Sequence, residues 1–168
     1  MPHLYADDTQ VYSSCPPSAV SALSKTISKC LDDVSWASSN RLQLNPTKTE
    51  VMWCATSRRQ HQLPSSALQF SGVSFAPVKS VRDLGIHIDA DLSMRTHVLQ
   101  TVSRCFGALR QLRQIRRSVP TATLQMLVVR LVLSRLDFGN SVPVLVGIPA
   151  CLLHRLQSVL NAGARLIF

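Results

Sequence analysis

Apolar residues recur in short alternating runs over the first half of the chain and at steps of three and four over the second half. Alternating runs predict strands, and steps of three and four predict amphipathic helices. The pattern predicts strands in a hairpin over residues 3–12, over residues 49–54 and between residues 68 and 88. It predicts helices over residues 19–39, 94–116 and 120–137 and from residue 149 onward.

These elements predict an α+β fold in two parts, because the pattern changes near residue 92. Residues 1–92 are expected to form a partial antiparallel sheet that the first helix covers with its apolar face. Residues 93–168 are expected to be all helical. The helix over residues 120–137 is apolar almost all round, so we expect it to be buried on every side.

The composition favours an intracellular globular protein. Of the 168 residues, 46% are hydrophobic and 16% are charged, which is enough for a packed core and excludes extended disorder. The five cysteines form no CxxC pair, so a reducing compartment, nucleus or cytoplasm, is expected. The longest apolar stretch, residues 124–136, is too short and too charged to span a membrane, so no membrane partner is predicted.

The net charge of +9 comes entirely from the second half of the chain. Residues 1–94 contain eight basic and eight acidic side chains, whereas residues 95–168 contain ten arginines and one aspartate. Such a field attracts a polyanion and accelerates its encounter, which indicates the backbone of RNA or DNA as a partner. The alternative is a basic surface that only keeps the chain soluble.

Five arginines in or directly after the second predicted helix are candidates for phosphate contact. Arg110, Arg113 and Arg117 are spaced to share one helix face, and Arg104 and Arg116 are near them in sequence. Phosphate contacts carry no sequence information, so we predict binding to the nucleic-acid backbone without recognition of the base sequence. The alternative is that these arginines complement the dipole at the end of their helix.

Two adjacent carboxylates, Asp7 and Asp8, lie in the middle of the first predicted hairpin. Their mutual repulsion would be offset by a divalent cation, and Mg²⁺ takes carboxylate and phosphate oxygens as ligands. The alternative is that aspartate is simply a common turn residue.

The order of several motifs resembles one polymerase family. Y-A-D-D at residues 5–8 is followed by L-Q-L-N-P-T-K-T-E at residues 42–50 and V-R-D-L-G-I-H-I-D at residues 81–89. This set resembles the rear half of the palm of a LINE-type (non-LTR retrotransposon) reverse transcriptase. Residues 134–140 and 155–162 are similar to that family's thumb and the segment after it, so the resemblance covers essentially the whole chain.

The resemblance implies an RNA-directed DNA polymerase that uses Mg²⁺. It implies that Asp7 and, less centrally, Asp8 bind the catalytic metals. It also implies that Lys48 protonates the departing pyrophosphate, for which a cation beside the leaving group is suited. A solvated loop lysine is the alternative for Lys48.

The resemblance also implies two contacts with the primer. Tyr5 would lie near the primer end, and Leu84 and Gly85 fall in the family's primer-grip hairpin. A plain turn glycine is the alternative for Gly85.

In that family a further catalytic aspartate and the fingers precede Y-A-D-D, and this sequence begins four residues before Tyr5. We therefore expect a polymerase fragment that is inactive alone and that self-associates through an exposed sheet edge. Two alternatives remain open: a sequence-nonspecific nucleic-acid-binding module that uses the arginine-rich helices, and a transposon relic without selected function.

Overall fold

The computed structural model describes residues 2–5, 8–36, 45, 47–70, 73–138 and 148–168. These residues form a mixture of helices and antiparallel strands, which confirms the predicted α+β class. The chain divides into two compact units, residues 1–79 and residues 80–168. The division precedes the strands at residues 80–89, which sequence analysis placed in the first part. The assignment of the two parts to a palm and a thumb stays a prediction.

The first unit begins with the predicted hairpin. Strand β1 (Pro2–Tyr5) pairs antiparallel with β2 (Asp8–Val11), and Tyr5 lies opposite Asp8. The backbone of this hairpin therefore follows the alternation of the sequence. A second hairpin pairs β3 (Leu68–Phe70) with β4 (Val73–Phe75).

Helix α1 (Val20–Trp36) follows a short 3-10 helix at Pro17–Ala19. Two successive prolines before it favour this start, since a proline near the first turn loses no helical hydrogen bond. The helix packs against β3, and the Ser28 hydroxyl is 3.5 Å from the backbone carbonyl oxygen of Gln69. The helix thus contacts a strand, and the covering of a sheet by its apolar face stays a prediction.

The predicted strand over residues 49–54 is wrong. This segment makes a single parallel bridge between Val51 and Pro77, in which the Val78 N–H donates to the Val51 carbonyl oxygen at 2.8 Å. Proline has no N–H, so Pro77 cannot extend the ladder. In the described part of this unit, Phe75 is the one apolar side chain that is buried.

The second unit begins with a tight hairpin. Strand β5 (Ser80–Asp83) pairs with β6 (Ile86–Asp89), and the two-residue turn between them is Leu84-Gly85. Their φ angles are +45° and +90°, the signs that a type I′ turn requires. Glycine adopts such angles freely, whereas leucine does so at a cost in backbone strain.

The last residue of this hairpin caps the next helix, α2 (Arg95–Ile115). The buried Asp89 carboxylate accepts from the Thr96 N–H at 3.0 Å and lies 3.4 Å from the Ser93 hydroxyl. A carboxylate at a helix N-terminus satisfies a backbone donor that has no partner within the helix. This bond joins the hairpin to α2.

The apolar stripe of α2 forms the centre of the core. It packs on α5 (Ala150–Ile167) and on a helix made of α3 (Thr121–Val128), a π-turn (Val129–Leu133) and α4 (Ser134–Asp137). Phe106 is 37% exposed, because Cys105 takes the position that faces the core. The buried α2 residues of the core cluster are Val98, Val102, Cys105, Ala108, Leu109 and Leu112.

The helix over residues 121–137 is buried on one face only. Leu124, Val128, Val132 and Leu136 are buried at steps of four. Steps of four drift by about 40° each in a regular α-helix, and the wider π-turn offsets part of that drift. The expectation of burial on every side is wrong, because Met126 is 62% exposed. No helix in the described ranges is long and apolar enough to cross a membrane.

Two glycines of this unit should respond to alanine in opposite directions. Gly107 lies inside α2 with open space where a Cβ would sit, so Gly107→Ala should raise the free energy of unfolding by about 1 kcal/mol. Gly85 has φ +90°, and an added Cβ would lie 3.0 Å from Phe138 Cε1. Gly85→Ala should therefore lower the free energy of unfolding by about 1–3 kcal/mol. Chemical denaturation of both variants measures this, and shifts of equal sign would contradict the described backbone.

Candidate functional site

The predicted catalytic hairpin is described only in its backbone. Asp7 lies outside the described residues, and so do the side chains of Tyr5 and Asp8, whose backbones pair across β1 and β2. Their catalytic, metal-binding and primer-contact roles therefore stay predictions. Within the described ranges, no group of three or more His, Cys, Asp or Glu side chains could hold a metal ion.

Lys48 lies in an exposed turn that its neighbours hold in shape. The Asn45 side-chain oxygen accepts from the N–H of Thr47 at 3.0 Å and from its hydroxyl at 2.6 Å. The Lys48 N–H donates to the Asn45 carbonyl oxygen at 3.1 Å. Such an Asx turn presents the lysine to solvent, where it can meet an anion. Its role as a proton donor stays a prediction.

The five predicted phosphate-binding arginines are all exposed, but they do not share one surface. A helix turns about 100° per residue, so Arg110 and Arg113 are about 60° apart around α2. Arg104 is about 180° from Arg113. Arg116 and Arg117 follow the end of the helix. We call Arg110, Arg113, Arg116 and Arg117 the C-terminal arginine cluster.

Arg104 instead borders a cleft inside the second unit, with a volume of about 670 Å³. The cleft lies among the β5–β6 hairpin, α2 and α4, and we call it the hairpin cleft. Three of its lining side chains are arginines from three different elements, and none of the lining residues that the structure describes is acidic. It is lined by Arg82, Gly85, His97, Thr101, Arg104, Ser134, Arg135 and Phe138.

Helix α2 contributes a polar stripe to this cleft. His97, Thr101 and Arg104 follow each other at steps of four and three, which places them on one helix face. The Nδ1 atom of His97 lies 3.4 Å from the His87 backbone N–H, which donates to it. Arg104 Nη2 donates to Gln100 Oε1 at 3.3 Å. The histidine contact links β6 to α2 a second time, beside the Asp89 cap.

His97 resists protonation. Burial lowers its pKa, the nearby His87 and Arg104 lower it further, and Asp89 opposes them. Because Nδ1 accepts a hydrogen bond, the neutral ring carries its proton on Nε2. His97 can therefore donate a hydrogen bond without adding a charge.

The tip of the hairpin and the end of α4 meet at an aromatic ring. A Cβ on Gly85 would lie 3.0 Å from Cε1 and 3.4 Å from Cζ of Phe138, so glycine permits this approach. The Phe138 side chain is 56% exposed, and the Leu84 side chain beside the turn glycine is 49% exposed. Two apolar groups thus remain open to solvent near a polar cleft. The proposed primer contact of Leu84 and Gly85 stays a prediction.

Comparisons with protein-family models, with curated proteins and with solved structures find no match to this chain. Any functional proposal therefore depends on the residues themselves and on the motif resemblance.

Sequence reasoning named only part of the hairpin cleft as a site. Arg104 and Gly85 were candidates, whereas His97, Arg82 and Arg135 were not. The stripe of His97, Thr101 and Arg104 beside the apolar stripe of α2 was the one local signal. Arg82 and Arg135 carry no such signal, because only folding brings their strand and helix to the cleft.

Cys105 is a structural residue rather than a nucleophile. Its thiol is fully buried, and burial raises its pKa while Arg135 opposes that shift. The Sγ atom lies 3.8 Å from the carbonyl oxygen of Val132, in the π-turn. A buried thiol with a raised pKa carries little thiolate.

The lowered pKa of His97 predicts a loss of stability in mild acid. As pH falls below the ordinary value of 6.5, the unfolded chain takes up a proton that the folded chain resists. We expect the free energy of unfolding to fall from pH 7.5 to 5.5 and His97→Gln to flatten that fall. Denaturation at several pH values measures it. His154→Gln, on the exposed face of α5, should keep the wild-type slope, and equal slopes for wild type and His97→Gln would contradict the assignment.

Proposed function

We propose that the chain is the C-terminal palm and thumb part of a LINE-type reverse transcriptase and that its helical unit binds the backbone of RNA or DNA. The observation that carries the binding proposal is an acid-free run. Between residues 92 and 136 the sequence has eight arginines and no Asp or Glu. This run covers α2, α3 and the π-turn.

The C-terminal arginine cluster favours binding of a nucleic-acid backbone over a role in solubility or in complementing the helix dipole. Its four side chains are exposed, and the acid-free run supplies no local carboxylate to neutralise them. Complementing the helix dipole accounts for Arg113 in the last turn, but the dipole effect is confined to that turn. Arg116 is the C-cap, where the dipole also acts, whereas Arg110 precedes the last turn and is not explained by the dipole. Phosphates would release condensed counterions on meeting these side chains, which makes the contact strong at low salt.

The polymerase part of the proposal is supported by the ordered motifs and by the hairpin that carries Y-A-D-D. The described α+β units agree with a partial palm and a helical thumb at the level of fold class. By their donor chemistry, Asp7 and Asp8 would hold Mg²⁺, which would supply activation of the attacking hydroxyl and charge stabilisation. Lys48, which is exposed in the turn at residues 45–48, would lie beside the departing pyrophosphate.

Two further parts of the proposal concern the setting of the chain. A LINE-type polymerase works on nucleic acid inside the cell, in the nucleus or cytoplasm. Each described sheet has only two strands, so each strand is an edge strand that another chain could pair with. This supports self-association as part of the proposal.

Binding to a fluorescent single-stranded RNA should weaken steeply as salt rises from about 50 to 200 mM. Each lost phosphate contact should reduce the slope of log affinity against log salt by about 1. The double variant Arg110→Gln, Arg113→Gln should therefore lose about two units of slope, with at least a tenfold loss of affinity at low salt as an order of magnitude. Fluorescence anisotropy measures both.

The matched control removes two charges elsewhere. Arg155 and Arg165 are exposed on α5, so Arg155→Gln, Arg165→Gln changes the net charge equally. The control should keep most of the affinity and slope. An equal loss in both variants would show that net charge alone acts, and binding without salt dependence would contradict the backbone proposal.

The 168-residue chain should not extend a primer on RNA with nucleotides and Mg²⁺. Two-metal phosphoryl transfer needs carboxylates from separate strands, and the resemblance assigns the partner of Asp7 to a strand upstream of Tyr5. A primer-extension gel tests this. Extension that Asp7→Asn abolishes would contradict inactivity and show that the site is complete.

A further inference from the structure

We propose that the hairpin cleft is a nucleotide-binding site, in which the arginines bind a phosphate group and Phe138 stacks on the base. This inference goes beyond backbone binding by the C-terminal arginine cluster and does not depend on it. Arg104 points about 180° away from Arg113 around α2, so the two sites can be tested separately.

Three cations converge on the cleft, and its described lining residues include no carboxylate. Arg82 comes from β5, Arg104 from α2 and Arg135 from α4. Like charges that share a cleft repel one another, and an anion between them removes that cost. One guanidinium group can donate two parallel hydrogen bonds to phosphate oxygens. Three guanidinium groups can therefore surround one phosphate.

Two nearby carboxylates are already engaged at the start of α2. Asp89 accepts from the Thr96 N–H at 3.0 Å, and Asp91 accepts from the Ser93 N–H at 3.0 Å. Both serve as caps for the backbone there. Neither carboxylate is among the lining residues that the structure describes for the cleft.

Neutral donors complete the polar side of the cleft. Thr101 contributes a hydroxyl group, and His97 carries a donating Nε2–H in its neutral tautomer, whereas the Ser134 hydroxyl already donates to the Arg130 carbonyl oxygen. Hydroxyl and imidazole donors bind phosphate oxygens without adding to the repulsion among the arginines. The chemistry of this wall matches a phosphate ester.

The other wall of the cleft matches a flat ring. Two atoms of the Phe138 ring, Cε1 and Cζ, approach Gly85, which has no side chain, and the Phe138 side chain is 56% exposed. A base can stack on such a ring, and stacking on aromatic side chains tolerates any base. The volume of about 670 Å³ suits a ligand of nucleotide size. A phosphate joined to a base fits both walls at once, whereas inorganic phosphate uses only one.

The test is titration of the full chain with adenosine 5′-monophosphate, followed by amide NMR. We expect saturable 1:1 binding with shifts at the Gly85 and Thr101 amides. Arg104→Gln should weaken binding about tenfold, because a charge-assisted hydrogen bond is lost. Phe138→Leu keeps the apolar bulk but not the ring and should weaken it about fivefold. Adenosine and inorganic phosphate should each bind more weakly than the monophosphate.

The matched control is Arg155→Gln, which removes the same charge from an exposed position on α5. It should bind the monophosphate as the wild type does. Circular dichroism of each variant checks the fold, and all three changed positions are exposed.

Several results would overturn the proposal. They are the absence of saturable binding, an equal loss in Arg155→Gln and Arg104→Gln, or NMR shifts confined to other residues. Inorganic phosphate that binds as tightly as the monophosphate, with no effect of Phe138→Leu, would overturn the nucleotide assignment. A 5′-phosphorylated tetranucleotide that binds more tightly than the monophosphate would support the site and assign it to a strand end. Tighter binding of the monophosphate would assign the site to a free nucleotide.

Discussion

Burial of the apolar stripe of α2 is the interaction on which the second unit depends. Helices α3, α4 and α5, the π-turn and strand β6 all contact α2. Val98 and Cys105 are almost completely buried in this stripe. Because one face of α2 is committed to the core, the directions of its other faces follow. One polar face meets the hairpin, and another carries Arg110 and Arg113 into solvent.

The junction between the hairpin and α2 converts this packing into a site. The Asp89 carboxylate caps the helix, and His97 accepts from the His87 backbone. Both contacts hold β6 at the first turns of α2. The paired strand β5 then carries Arg82 to the side of the cleft where Arg104 lies.

The sequence predicted the elements with strong local patterns and failed where distant residues intervene. The hairpin at residues 3–12 and helices α2 and α5 follow their periodicity. The strand at residues 49–54 was wrong, since its partner segment contains Pro77 and forms one bridge. The burial of the helix at residues 121–137 was also wrong, because composition alone does not show which face meets a neighbour. Met126 is exposed although it lies among apolar residues.

By itself the sequence determined the α+β class, the amphipathic stripes and the acid-free run, because each is a property of neighbouring residues. Tertiary structure alone decided the grouping of the arginines. It separated Arg104 from Arg113 around one helix and brought Arg104 together with Arg82 and Arg135. Helical periodicity is local and can be read from spacing. Convergence of side chains from β5, α2 and α4 depends on packing among elements that are far apart in the chain.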